Sequence, residues 1–297
     1  MRTCRDCYAN LGEESFYSSR WSICRPCARA ANRARRREGR IGPRVGTYDR
    51  AFGVELEFIG SMRAVSNAVI AAGYSCPVVS YGHRPPPGGG WKIVPDASVY
   101  GGGELVSPKL QGAAGIAEMK TVVQAASVVA TVNRKCGMHV HLDATGESLD
   151  DIKKFIWSYV SRQAGISGLV APSRRSNSCD LARAWTAQDI ERLDSISDLA
   201  TLRSYFPPDS GQRYRTVNVC SYARHGTVEV RQHQGTLNPA KVEAWVRFAQ
   251  AMWTVDAAPS HAEDDTYAML DAMSELDAET REYLRSRAYS FRRAAVA

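Results

Sequence analysis

No apolar run in this 297-residue chain approaches the roughly 20 residues that a membrane span needs. The start, Met1-Arg2-Thr3-Cys4, has no apolar signal core, so the expectation is a cytoplasmic chain without a membrane partner. There is no Gly-rich phosphate loop of the Walker or dinucleotide type, so a bound nucleotide would have to be held by metal and arginine. No internal repeat is found, which excludes a solenoid. Histidine is scarce, at six residues, too few at recognisable spacing to finish two zinc sites of a metallohydrolase. Net positive charge is also lacking over most of the chain. Residues 1–50 hold 12 Arg against 5 Asp and Glu, and residues 51–297 hold 26 charges of each sign, so the net +7 is entirely N-terminal.

Of the eight cysteines, four pair by spacing and four are scattered. Cys4-x2-Cys7 and Cys24-x2-Cys27 have the paired-knuckle spacing of a closed, tetrahedral structural zinc site, in a reducing compartment. So small a module could not fold on its few apolar residues, and the metal would supply much of its stability. It leads into Ala28 to Arg37, a predicted basic helix rich in helix formers and arginine, and the two cysteine pairs, the Glu14-Ser15-Phe16-Tyr17 stretch and this helix together resemble the zinc modules attached to phage and bacterial nucleic-acid enzymes. Phosphate contact and protein docking are both open for this segment. The predicted organisation is a zinc module with a basic helix over 1–38, a linker over 39–50, a main domain over 51–256 and a helical extension over 257–297.

Three segments of the main domain alternate apolar residues with metal-seeking or phosphate-seeking ones. They are Gly53 to Phe58, Cys136 to Leu142 and Thr227 to His233. In strands, residues two apart share a face, so Glu55/Glu57, His139/His141 and Glu229/Arg231/His233 would line one cleft. A lone Glu-x-Glu is ordinarily a solvated edge; three such faces together are not. Cys136 reads as a small buried residue, and the Trp245/Trp253 stripe as core. Between the strands, helices are predicted over Ser61 to Gly73 (Met62, Val65, Val69 and Ile70 inward), Ala113 to Val132, Leu149 to Leu169, Ala187 to Ile196 and Pro239 to Val255. Val78 to Tyr81 reads as a short strand, and Arg213 to Tyr222 with Thr227 to Gln234 as a hairpin. Strands polar on one face with helices between them imply an α+β fold: a curved antiparallel sheet, helices on its outer face and the site on its inner one.

The ordered set Gly53-Val54-Glu55-Leu56-Glu57, Asp96-x-Ser98, Gly103-Glu104-Leu105-Val106-Ser107-Pro108, Cys136-Gly137-x-His139-x-His141, Arg215-x-x-Asn218 and Thr227 to Thr236 resembles the amidoligase family, over roughly residues 48–256. That family is similar to glutamine synthetase and the glutamate–cysteine ligases. The resemblance implies their curved sheet, and an ATP-dependent carboxylate–amine ligase that works through an acyl phosphate with Mg²⁺ or Mn²⁺. It implies metal ligands at Glu55, Glu57, Glu104 and Glu229, with His139 and His141 beside the nucleotide phosphates or on metal. It implies transition-state stabilisation by Arg231, phosphate or acceptor contact by Arg215 and Asn218, and substrate contacts at Asp96, Ser98 and His233. The substrates would be amino-acid or peptide carboxylates and amines. A metallohydrolase suggested by His139-x-His141-x-Asp143, and a nucleic-acid-binding protein with a degenerate ligase domain, are the rival readings.

Overall fold

The computed structural model describes residues 2–3, 10–11, 48–82, 84–86, 88–175, 182–255 and 265–294. The four clustered cysteines, the arginine-rich stretch and most of the linker lie outside them. Near the start, strands β1 (Arg2–Thr3) and β2 (Asn10–Leu11) pair antiparallel. The main body is an antiparallel sheet of six strands: β3 (Phe52–Ile59), β4 (Lys92–Val94), β5 (Gly102–Val106), β6 (Gly137–Asp143), β7 (Val217–Asn218) and β8 (Thr227–Gln234). Their order across the sheet is β4-β5-β3-β6-β8-β7, every pair antiparallel, so the α+β reading holds.

Period-two alternation divides the two faces. Phe52, Val54, Leu56 and Phe58 of β3 and Met138, Val140 and Leu142 of β6 are at most 2% exposed and join one apolar cluster with the helices. Each such side chain contributes about 1.5–3 kcal/mol by leaving water. The Pro239–Thr254 helix packs on β6, starting at Asn238, whose side chain accepts from Lys241 N, with proline in its first turn. Trp245 and Trp253 are both buried, as core. The Thr266–Ala272 and Ala278–Ala294 helices give Met269, Leu270, Leu284 and Ala288 to the same cluster. Close packing also fixes β5: a Cβ on Gly102 would lie 1.7 Å from the Phe58 carbonyl oxygen. Among the described residues, no helix is long and apolar enough to cross a membrane.

Four local expectations change. The Met62–Ala71 helix is capped by the Ser61 side chain, accepting from Ala64 N, and buries Val65 and Val69, but Ile70 is 53% exposed. Val78 makes one parallel bridge to Ile93 in place of a strand. The Leu149 to Leu169 helix breaks into Leu149–Val160 and Gln163–Ser167 at Arg162, whose buried guanidinium folds back onto the Ser158 carbonyl. The β7–β8 connection is a short helix, Cys220–His225, closed by Gly226 in the left-handed region at φ 66°, where the sequence suggested a plain turn.

A floor of carboxylates and imidazoles

The face of the sheet away from the helices forms the floor of a cavity of about 1010 Å³, and the strand register decides what lies side by side on it. Glu57 stands opposite Glu104 across β3 and β5. Glu55 stands opposite His139 across β3 and β6, and His141 opposite Glu229 across β6 and β8. Asn218 of β7 completes the row beside Glu229. Directly opposed side chains on one face meet, so residues far apart in sequence converge here.

His139 is the hub of this floor. Its Nδ1 lies 3.3 Å from Glu55 Oε2, 3.4 Å from Glu229 Oε1 and 4.0 Å from Glu104 Oε1, and its Nε2 lies 3.9 Å from Glu57 Oε1. His141 is set by Thr227, whose hydroxyl is 3.0 Å from Nδ1. That leaves His141 Nε2 facing Glu55 at 3.4 Å and Glu229 at 3.9 Å, buried and without a hydrogen-bond partner among the described residues. Glu57 is oriented by the Gly137 amide, which donates to its Oε2 at 2.7 Å. Glu229 accepts from Asn218 Nδ2 at 2.5 Å and from the Arg231 guanidinium.

Electrostatics follow from this crowding. Burial drives the Glu104 carboxyl well above the ordinary range, and the neighbouring charges of Glu55, Glu57 and Asp96 push it further. Burial opposes ionisation of Glu55 too, yet His141 and His139 hold its carboxyl well below the ordinary range. Glu229 is likewise lowered, against burial, by Arg231 and the two imidazoles. Five carboxylates (Glu55, Glu57, Asp96, Glu104 and Glu229) line the cavity, and the charges of Lys92 and Arg231 act on them; Lys109, Arg213 and Arg224 line it as well, Lys109 paired with Asp143 and Arg224 with Asp209. Three donor trios have ligand atoms within 4.8 Å of one another: Glu55, His141 and Glu229; Glu55, Glu104 and His139; Glu57, Asp96 and Glu104. Glu55 links the first two and Glu104 the last two. The clustered carboxylates, the oxygen-rich trios and an imidazole nitrogen that faces two of those carboxylates without a hydrogen bond together fit hard divalent cations.

Of the remaining expected site residues, Asp96 and Ser98 line the cavity, Asp96 Oδ1 accepting from Ser98 N at 2.6 Å and from Ser98 Oγ at 2.5 Å. Two expectations are corrected. Arg215 does not line the cavity; its guanidinium pairs with Asp189 at 2.8 Å and donates to the Ala184 carbonyl. His233 does not share a face with Glu229 and Arg231. Val140 pairs with Val230 but Met138 pairs with His233, so β8 carries one extra residue, a bulge that reverses the alternation after Arg231. His233 therefore faces the core, its ring 4.9 Å from Trp245, and donates from Nδ1 to the Gln234 carbonyl; burial pushes its imidazole down to about 3.

The sequence reading passed over Lys92 and Thr227, and gave Asp96 a substrate contact only. Lys92 is 6% exposed and lines the cavity, a role hinted at only by its alternation with the inward Ile93. Asp96 belongs to a donor trio, and Thr227 orients His141, neither of which spacing alone could show. Gly137 is a fourth constraint, since a Cβ there would stand 3.1 Å from His139 Nε2 and 3.2 Å from an Arg174 guanidinium nitrogen. Gly137→Ala is accordingly expected to cost about 1–3 kcal/mol of stability and to weaken cation binding by displacing His139. Melting with and without Mn²⁺ checks this, and an unaltered Mn²⁺ response would show that His139 has room to adjust.

The family model described as putative amidoligase enzyme matches residues 48–253, well over half of the chain, and spans all the strands of the carboxylate floor. No curated protein matches the chain. The ordered motifs, the antiparallel sheet that gathers them and the extent of this match lead to one conclusion: the chain belongs to the amidoligase family.

Proposed function

We propose that this protein is an ATP-dependent carboxylate–amine ligase, with the antiparallel sheet serving as a glutamine-synthetase-like platform. The single observation that carries the reading is the row of overlapping donor trios on one floor, with Arg231 at its edge. Joining a carboxylate to ATP brings anions together, and the residue types on the floor are those that such a reaction requires. Glu55, Glu57, Asp96, Glu104, Glu229, His139 and His141 would hold Mg²⁺ or Mn²⁺. Such cations, when bound, neutralise the phosphate and carboxylate oxygens that must approach one another.

The chain's own groups then have definite tasks. Arg231, fixed by Glu229, offers its guanidinium to the oxygens of the phosphoryl group as it passes from ATP to the substrate carboxylate. Asn218 holds the second oxygen of Glu229 and so keeps that carboxylate turned toward the floor. A carboxylate oxygen of the substrate displaces ADP from the γ-phosphorus; the amine nitrogen then attacks the acyl carbon, phosphate leaves, and the amine gives up a proton. The cavity volume, at the upper end of ordinary ligand sites, allows a nucleotide and a second substrate together.

Cys4, Cys7, Cys24 and Cys27 would form a structural zinc site, and the arginine-rich stretch beside them would carry the ligase to a nucleic-acid or protein target in the cytoplasm. The test of the main reading is metal-dependent ADP release across pools of amino-acid and peptide carboxylates and amines, beside Glu57→Ala. Substrate-stimulated release that vanishes in the variant is expected. Turnover of a substrate without nucleotide would point to a hydrolase, and absence of nucleotide binding altogether would sink the ligase.

A further inference from the structure

Lys92 is a buried cation of the cavity that the proposed chemistry does not use. It lies on β4 with Lys92 opposite Val106 and Val94 opposite Glu104, which turns its side chain to the cavity face although only 6% of the residue is exposed. Its Nζ donates to the Gly82 carbonyl at 2.7 Å and to the Arg84 carbonyl at 2.9 Å. Both carbonyls belong to the stretch before β4, from which Tyr81, Gly82, Pro85, Pro86, Gly89 and Gly90 wall one end of the cavity. On its other side, the charges of Glu55 and Glu104 act on the ammonium.

The wall has little else in common with a regular element. Its ends are anchored by backbone bonds, Val79 N to the Ile93 carbonyl at 2.9 Å and Ile93 N to the Pro77 carbonyl at 3.0 Å, and its tip by the turn Gly89 N to the Pro86 carbonyl at 2.9 Å. Gly88, Gly89 and Gly90 all have positive φ, between 73° and 89°, a backbone that other residues rarely adopt. Prolines without N–H groups and glycines without side chains offer few bonds of their own, so the carbonyls of Gly82 and Arg84 are natural points of attachment.

We propose that Lys92 is a positioning residue that ties this wall to the carboxylate floor, holding the wall by its two carbonyls while its charge competes with cations for the floor. The two halves predict changes of opposite sense in one variant, which a merely structural lysine would not produce. In Lys92→Met the apolar stem remains but the ammonium is lost. Amide hydrogen exchange within residues 81–90 is expected to quicken by about tenfold, because the internal anchors are gone. Mn²⁺ affinity is expected to rise by about threefold or more, because a like charge beside the donor trios is removed. Lys92→Arg, which keeps the charge and can donate to both carbonyls, is expected to restore slow exchange and wild-type Mn²⁺ affinity.

The experiment is hydrogen exchange by mass spectrometry and calorimetric Mn²⁺ titration on the full-length wild type and both variants. Unchanged exchange in Lys92→Met overturns the proposal, as does a Mn²⁺ affinity that stays level or falls. Failure of Lys92→Arg to restore wild-type behaviour overturns it as well. The Mn²⁺ comparison rests on the ligase reading, and the exchange comparison does not. If the wild type bound no Mn²⁺, the ligase reading would fail, and the exchange data alone would decide for or against Lys92.

Discussion

Arg231→Ala is expected to lower substrate-dependent ADP release by about 10²- to 10³-fold while changing nucleotide affinity little. The guanidinium is held beside Glu229 with 14% of its side chain exposed. Burial works against its charge, but the attraction of Glu229 and Glu55 raises its pKa further, so it is a fixed cation at every working pH. A group that meets the phosphoryl oxygens chiefly as they shift between donor and acceptor acts on rate more than on binding. The substitution also strips Glu229 of a partner in a buried pair, a change that typically costs about 3–5 kcal/mol. Arg231→Lys separates the two effects: it keeps a charge beside Glu229 and loses the planar fork that spans two oxygens. The expected result is a Lys variant close to wild type in melting temperature yet still deeply impaired in turnover. Calorimetric ATP binding, thermal melts and ADP release on the three proteins decide it, and a folded Arg231→Ala protein with full turnover would remove the residue from its assigned task.

The second large effect is on stability. If, as proposed, Mn²⁺ binds the folded floor and not the unfolded chain, then at a hundred times its dissociation constant it should add about 2.7 kcal/mol. For a chain of 297 residues that corresponds to roughly 4–5 °C in Tm. Glu104→Gln should abolish most of this response, since Glu104 belongs to two of the three donor trios. The same variant should leave the metal-free protein as stable as wild type or more so, because its carboxyl is the one that the fold disfavours as an anion.

The dependence on pH has a definite sign. Glu104 has a raised pKa in the folded state, so the folded chain binds its proton more tightly than the unfolded chain does. Its contribution favours the metal-free fold below the ordinary carboxylate range and is lost as pH rises through the elevated value. Glu55 and Glu229 are lowered, so their contributions are present above the ordinary carboxylate range and are lost as pH falls through their depressed values. Mn²⁺ should therefore help most at pH above the elevated Glu104 value, where that carboxyl is otherwise ionised against its surroundings. Melting curves in chelator and in Mn²⁺ over a pH series, for wild type and Glu104→Gln, test this. Equal Mn²⁺ shifts in both proteins would mean that the cation sits elsewhere.

The legible part of the site was carried by short-range alternation. Glu55 with Glu57, and His139 with His141, each lie on one strand, so the pattern of the strand suffices to put them on one face. Arg231 and Glu229 were legible for the same reason, up to the bulge. Beyond it the rule failed: His233 obeys the alternation in sequence and violates it in space, because an inserted residue leaves no mark in composition. Arg215 misled in another way, since its partner Asp189 comes from a helix whose packing no spacing announces.

The sequence by itself determined the class of fold, the strands that carry the chemistry, most helices and the residue types on the floor, because each depends on periodicities within a few residues or on ordered motifs. Only the tertiary structure decided which carboxylates become neighbours: Glu57 with Glu104, Glu55 with His139, His141 with Glu229. It also decided that Lys92 reaches back to the wall before its own strand. Those pairings follow from strand order and register, which are set by how the apolar faces pack around a shared core, and packing over such separations cannot be read from local sequence.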